Sequence, residues 1–412
     1  MKVKPHVFLF SLLILLLPSQ LGKHFWFDFS LVRGVRIDYL SPTLYVTDIL
    51  TIGVLMSWWW HRKKIKDQRS KIKTKAQSAK LLFVIIFIAI NIFFSSNPFL
   101  TIYKWLKFFE FTLLAFYVYK NSKLLGYWLF SITLLYSSFL ALSQFFFQHS
   151  IGGLWWFLGE RTFTSTTPGI AQIIIGGKLF LRPYATFSHP NQLAGYILIV
   201  LTLLTSARRG LAESMLIVLG CLVLILTFSK AVLLTGFLII LLHSFFKRKK
   251  KNIVLSPGFI FVSTVFIGLL GIWAVDILPF QSESFTLRAL LTSASLGMTL
   301  SSPVWGVGLG NFIPQVSAFI SPLTNVAILQ PVHNIYLLIA AETGLAGLGF
   351  FLWFLLKIFN NSNLKPQTSN LTVYHLALVA ILIIGLFDHY FVTLQQTQLL
   401  TAIVVGMALR KN

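Results

Sequence analysis

Residues 211–251 read LAESMLIVLGCLVLILTFSKAVLLTGFLIILLHSFFKRKKK. Two apolar runs, 211–228 and 230–246, are separated by Ser229-Lys230 and end at the basic run Lys247 to Lys251. Each run is about as long as a bilayer core requires, roughly 17–25 residues for a helix. The same alternation extends in both directions. Runs near 5–22, 44–60, 80–96, 99–119, 124–148 and 190–206 precede this stretch, and runs near 253–275, 333–356, 371–387 and 396–409 follow it. The pattern predicts an all-α fold: a polytopic transmembrane helical bundle of about twelve helices, with residues 1–412 forming one transmembrane domain.

Composition supports this reading. The chain is 56% hydrophobic and only 11% charged, with mean hydropathy +0.79. A water-soluble domain carries roughly a quarter charged residues, so the polar surface for one is missing. The net charge of +23 would suggest nucleic acid in a soluble protein, but its placement argues otherwise. With the N-terminus inside, segments 61–80, 120–123, 207–210, 247–251 and 357–370 and both tails face the cytoplasm. They hold 24 of the 34 Lys and Arg, as the bias of basic residues toward the cytoplasmic side requires. No nucleic-acid partner is expected; membrane lipids are. Trp58-Trp59-Trp60, ahead of the basic segment 61–80, suits an interfacial anchor. The single Cys221 excludes an intramolecular disulfide. Residues 1–22 resemble a signal peptide, but Pro18-Ser19-Gln20-Leu21 is a poor cleavage site, so a retained first helix is expected.

Three connections on the expected outer face are long, at 23–43, 149–189 and 276–332. Connections without a task are usually short, so the chemistry is sought there. Within 276–332, Ser284–Leu300 predicts a short helix with Leu287, Leu290, Leu291 and Ala294 on one face and Arg288, Thr292 and Ser295 on another.

Among the cations outside the basic segments, Lys104, Lys107 and Glu110 have the spacing of a local ion pair. Arg182, Lys230 and Arg288 stand near outer ends of spans, where a cation either reaches headgroups or faces an anion or cavity. Arg182-Pro183-Tyr184-Ala185-Thr186-Phe187-Ser188-His189-Pro190-Asn191 leads into a span, with Pro190 suited to a first helical turn and Ser188 or His189 to its cap. Gly306-Val307-Gly308-Leu309-Gly310-Asn311-Phe312 predicts a tightly turned loop, since the strand and helix of a phosphate loop do not flank it. His333, in Pro331-Val332-His333-Asn334-Ile335-Tyr336, sits at a membrane boundary with a side chain suited to proton transfer near neutral pH. Glu342 falls on the opposite side of a regular helix, roughly 13 Å deeper, which predicts a structural bond to a neighbouring helix. Ala340, Gly344 and Gly347 suit close helix packing. Asp388-His389-Tyr390 marks another outer turn of the same type. No set of His, Asp, Glu or Cys has the spacing of a metal site, so neither metal nor cofactor is expected.

These segments together resemble the O-antigen ligase and polymerase family of bacterial envelope enzymes. The matching pieces are Thr186-Phe187-Ser188-His189-Pro190-Asn191, Phe228-Ser229-Lys230, Arg288 ahead of Gly306 to Phe312, and His333-Asn334-x-Tyr336 with Glu342-x-Gly344. The resemblance covers roughly residues 80–400. It implies a C-type glycosyltransferase fold in the cytoplasmic membrane, with both termini inside and the active face outside. It also implies an inverting, metal-independent transfer of a glycan from undecaprenyl diphosphate to an acceptor, within cell-surface polysaccharide biosynthesis. The acceptor would be a glycan, a lipid or a protein, and ligase, repeat-unit polymerase and protein glycosylation share this chemistry; a transporter or flippase is the reading from another class. Under the resemblance, Arg182, Lys230 and Arg288 hold the diphosphate and His333 assists the acceptor, with Arg288 also acting in catalysis. His189, Asn191, Asn334 and Tyr336 would support them. The family commonly has Ser-Arg where this chain has Ser229-Lys230, which keeps the charge and loses the two-pronged guanidinium.

Overall fold

The computed structural model describes residues 4–63, 75–121, 126–205, 210–247, 283–320, 329–361 and 372–410. The chain is mostly helical. Helices α1 (Pro5–Leu15), α2 (Val46–Lys63), α3 (Lys75–Phe93), α4 (Pro98–Asn121), α5 (Tyr127–Phe147), α6 (Pro190–Leu204), α7 (Leu211–Leu226) and α8 (Lys230–Lys247) form the first part. They are followed by α9 (Glu283–Ser301), α10 (Phe312–Val316), α11 (Ile335–Asn361), α12 (Val373–Ile384), α13 (Tyr390–Thr393) and α14 (Gln395–Ala408). Every apolar run except 253–275, which lies outside the described residues, coincides with a helix. The basic run 247–251 and much of 61–80 also lie largely outside them.

Among the described residues, Tyr127–Phe147 and Ile335–Asn360 are long and apolar enough to cross a membrane by length and composition. Others are shorter than the runs that predict them. α1 ends at Leu15, where the run extends to 22, because Pro18 cannot continue the helix and Leu16–Pro18 form a turn. Three short antiparallel ribbons also modify the all-α expectation. β1 (Gly22–His24) pairs with β4 (Thr43–Tyr45) with Gly22 opposite Tyr45. β2 (Leu31–Val32) pairs with β3 (Val35–Arg36), and β5 (Gln172–Ile175) with β6 (Lys178–Leu181). They fill the long connections 23–43 and 149–189 and give them defined walls.

α6 is apolar around its whole circumference and buried almost throughout, as such a helix must be. α5, α7, α8, α12 and α14 pack around it, and α14 also lies along α4. A second core joins Leu291, Ala294 and Met298 of α9 to Phe312, Ile313, Leu338 and Ala341. Leu291 and Ala294 lie on the expected buried face. Ser295 joins them there instead of the polar face, donating its hydroxyl to the Leu337 carbonyl at 3.0 Å.

α11 is not a regular helix. Gly344 has φ 69° and ψ −179°, and the chain kinks there. The loop 303–312 lies against the kink. Leu345 donates its N–H to Pro303 at 2.7 Å, and Val307 and Gly308 donate to the carbonyls of Ala341 and Glu342 at 2.9 and 3.0 Å. The Glu342 side chain accepts the Phe312 N–H at 3.2 Å. Glu342 is thus structural, as expected, and its partner is the first residue of α10, where the glycine-rich segment ends. Gly344 serves this kink instead of helix–helix packing.

Candidate active site

A cavity of about 840 Å³ opens where α4, α6, α9, α13 and α14 meet the segments 20–45 and 156–191. Arg182, His189, Asn191, Arg288 and His333 all line it. The segment 182–191 is held from below. The Gln144 Oε1 accepts the N–H groups of Tyr184 and Ala185 at 3.0 and 2.7 Å, while its amide donates to the Ala185 carbonyl and to Glu160. Ala185 takes a positive φ of 48°, which turns the chain back toward α6. His189 then caps α6, its Nδ1 accepting the Asn191 N–H at 3.1 Å with Pro190 in the first turn. That bond leaves the Nε2 side of the ring to face the cavity.

Arg182 is fixed by two of its five N–H groups. Nε donates to the Thr227 carbonyl and a terminal nitrogen to Asn191 Oδ1, both at 2.7 Å. The Asn191 amide donates in turn to Asp388 at 3.2 Å. Arg288 approaches from α9 and donates one N–H to the Phe387 carbonyl at 3.2 Å. Among the described residues neither guanidinium is ion-paired with a carboxylate, so both keep N–H groups for an anion. Burial lowers the Arg182 pKa to about 10, which leaves it charged at neutral pH.

His333 reaches this place through helix capping. Asn334 caps α11 by accepting the Tyr336 and Leu337 N–H groups at 2.9 and 3.0 Å, and its amide donates to the Leu386 carbonyl at 3.2 Å. Ile335 donates its N–H to Gly385 at 2.8 Å. The start of α11 is thereby fastened to the end of α12, and the residues that follow α12 are Asp388 and His389. The ligating atoms of His333, Asp388 and His389 all lie within 4.8 Å of one another, the one set of this kind among the described residues. These are the side chains that could hold a metal ion. A cation there would also face Arg182 and Arg288, so the set suits proton handling better. His333 Nδ1 is buried with no hydrogen-bond partner among the described residues.

Burial is the first cause that lowers the His333 pKa. Arg288 adds to it and Asp388 opposes it. His389 is lowered to about 4, again by burial first, against the pull of Asp388. Burial also pushes the Asp388 carboxyl up, but His389, His333 and His189 together outweigh this and hold it below the usual range. At neutral pH the cluster is therefore one carboxylate beside uncharged imidazoles. An uncharged imidazole whose Nδ1 has no partner can accept a proton.

The other residues singled out from sequence take different places. Lys230 opens α8, exposed and outside the cavity lining, though close enough to Arg182 for their charges to repel. Asn334 acts as a cap. Tyr336 donates its hydroxyl to the Leu382 carbonyl at 3.0 Å and fastens α11 to α12. Lys107 does pair with Glu110, at 3.8 Å, but Asp48 of α2 is its closer partner. Two cavity residues carried no signal in the sequence. Arg161 donates to the Ser188 carbonyl at 3.2 Å, and Tyr39 stands edge-on to His389 with ring centroids 5.5 Å apart. Both come from outer connections whose folding no periodicity foretells.

The fold and site thus describe a mostly helical protein rich in apolar helices, with a polar cavity in which two arginines face a histidine–carboxylate cluster. A family model described as O-antigen ligase matches residues 215–352, from within α7 to within α11. The match shows a likeness to the O-antigen ligase family over that third of the chain. It takes in Lys230, Arg288, the glycine-rich loop, His333 and the kink at Gly344. No curated protein matches the chain.

Proposed function

We propose that this chain is a polytopic enzyme of the cytoplasmic membrane that moves a glycan from polyprenyl diphosphate to an acceptor hydroxyl on the outer face. The observation that carries the reading is the meeting of Arg182, Arg288 and His333 in one cavity, with neither arginine in a direct ion pair with a carboxylate among the described residues. The family match supports ligase- or polymerase-type chemistry. The distribution of basic residues supports cytoplasmic termini. The outward apolar side chains of several helices, among them Phe83, Phe109, Trp128, Phe139, Met215 and Leu356, suit contact with lipid.

In this mechanism the acceptor oxygen attacks the anomeric carbon from the face opposite the diphosphate. The carbon–oxygen bond to the diphosphate breaks, its electron pair leaves with the phosphate oxygen, and the hydroxyl proton passes to His333. Arg182 and Arg288 meet the charge that develops on the leaving group, and preorganised donors of this kind supply a large share of catalysis. Two guanidinium groups provide the charge that a divalent ion provides in other transferases, so the reaction is proposed to need no metal. Ligase and polymerase use the same donor, and both fit this geometry.

The test is turnover by the purified protein. It should consume a polyprenyl-diphosphate-linked glycan and release free polyprenyl diphosphate in the presence of EDTA. Loss of turnover in EDTA with recovery on adding Mg²⁺ would end the metal-free mechanism and direct attention to His333, Asp388 and His389.

A further inference from the structure

Away from the cavity, the ends of α1, α2 and α4 gather cations on aromatic rings. Arg62, near the end of α2, holds its guanidinium carbon 4.9 Å from the centre of the Trp58 ring. Lys120, in the last turn of α4, places its ammonium 4.5 Å from the Tyr119 ring and 5.5 Å from the Phe116 ring. Trp58 and Phe116 meet edge-on at 5.9 Å, so the two cations flank one continuous aromatic shelf. Buried groups support it from behind. Tyr117 stands edge-on to Trp58 at 5.4 Å, and its hydroxyl donates to the His6 carbonyl at 3.3 Å, with His6 Nδ1 3.0 Å away. The His61 ring lies 5.5 Å from that of His6, and Lys4, just ahead of α1, is close enough to His6 for their charges to repel.

The shelf is outward-facing and basic. Phe116 is 45% exposed, and Lys120 is exposed beside it. Among the described residues neither Arg62 nor Lys120 forms an ion pair. The described carboxylates of these helices, Asp48 and Glu110, both hold Lys107. They lie about 20 and 15 Å along the helix axes from Arg62 and Lys120 respectively. An aromatic ring steadies a cation without neutralising it, so less ordering remains to be done when an anion binds. The position on the helices decides which anion. Gln20 and Leu21 follow α1, Tyr45 precedes α2, and Lys107 belongs to α4, and all of them line the cavity. Lys107 and Lys120 are about 20 Å apart along α4, so the shelf occupies the other end of the helices, the end proposed to face the cytoplasm. We infer that Arg62 and Lys120 form a binding site for the phosphate headgroup of an anionic phospholipid in that leaflet. Basic groups between helices on the cytoplasmic side suit such headgroups. A lipid held there fixes the depth of three helices whose far ends wall the cavity. The inference stands apart from the glycan-transfer reading.

The experiment measures binding of tail-labelled phosphatidylglycerol and phosphatidylcholine to the full-length protein in detergent by fluorescence anisotropy. The wild type should bind phosphatidylglycerol on the order of tenfold more tightly, since each cation at headgroup level contributes a several-fold preference. Arg62→Gln and Lys120→Gln should each lower that preference several-fold and together remove most of it. Phosphatidylcholine binding should stay unchanged, which also shows that the variants are folded. Lys357→Gln is the control. Lys357, on α11, sits 4.4 Å from the Trp353 ring, and its loss removes the same charge without touching the shelf, so the preference should persist. Cations that only reach into the headgroup layer predict no preference that depends on these two positions. Absence of a preference in the wild type, its survival in the double variant, or an equal loss in Lys357→Gln overturns the inference. Equal weakening of both lipids in a double variant that remains monodisperse on size exclusion overturns it too, because the shelf would then be structural.

Discussion

Replacing Gly344 by alanine tests whether the kink in α11 organises the active site. With φ 69° and ψ −179°, the position lies in a region that is essentially restricted to glycine, and a side chain there costs roughly 1–3 kcal/mol. The added Cβ would also stand 2.2 Å from the Val304 carbonyl oxygen and 2.3 Å from its carbon. These are backbone atoms that cannot rotate away, and forcing such a contact adds roughly 1–3 kcal/mol. The two costs together come to about 2–6 kcal/mol. Relief requires the loop 303–312 to leave α11, which breaks the bonds from Val307 and Gly308 to Ala341 and Glu342 and that from Leu345 to Pro303. Gly349 provides the control. It lies one turn and a half further along the same helix, and an added Cβ meets nothing within 4 Å. Alanine there should be neutral or stabilise by up to about 1 kcal/mol. Thermal unfolding of the purified variants, followed by intrinsic fluorescence, should show a clearly lower midpoint for Gly344→Ala only, with turnover lost in parallel. If the two variants melt together and both remain active, the kink does not hold the loop and the argument fails.

The other predictions concern the cavity. Arg288→Lys keeps the charge but not the fork that can grip a diphosphate with two parallel bonds, so turnover should fall well below the parent rate. Lys230→Arg, at an exposed position outside the cavity lining, should keep most activity. His333→Ala should cost on the order of 10²–10⁴ in rate at normal membrane levels, as measured by turnover per unit protein. The pH dependence of kcat/KM should follow the free enzyme's histidine. His333 acts uncharged, and burial and Arg288 hold its pKa below 6.5, so activity should persist as pH falls through 6.5 and drop only below that. Asp388→Asn removes the charge that opposes this lowering and should move the acid limb to still lower pH. An acid limb above 6.5, or one that Asp388→Asn raises, would rule out His333 as the base.

How much of this was legible in the sequence depends on the range of the interaction that creates each feature. Helix positions were legible because apolar run length and Lys/Arg placement are local properties, and the described helices coincide with those runs. The cap on α6 was legible for the same reason, since His189, Pro190 and Asn191 are adjacent in the chain. Glu342 was only half legible. A regular helix predicts its distance from His333, but the kink at Gly344 and its bonds to residues 308–312 depend on a loop some thirty residues away. Asn334 and Tyr336 were read as supporting the chemistry. Their side chains instead bond the carbonyls of Leu386 and Leu382, a pairing no spacing could announce.

That pairing also explains the cluster itself. His333 and Asp388 are separated by the whole of α11 and α12, and only His389 lies beside Asp388 in the chain. They meet because Asn334 and Ile335 fasten the first turn of α11 to the last turn of α12, so that the residue before one helix and those after the other share a wall. Arg182 and Arg288 converge by a similar route. Each is positioned by a backbone carbonyl at or just beyond a helix end, Thr227 after α7 and Phe387 after α12. Helix ends leave unsatisfied carbonyls, and a bundle gathers many of them at one surface. Cations that satisfy such carbonyls are held without a carboxylate and keep most of their charge for a ligand. A bundle that fastens its helices through end caps thus places its cations and its proton acceptor at the same rim, and the cavity at that rim is suited to an anionic leaving group.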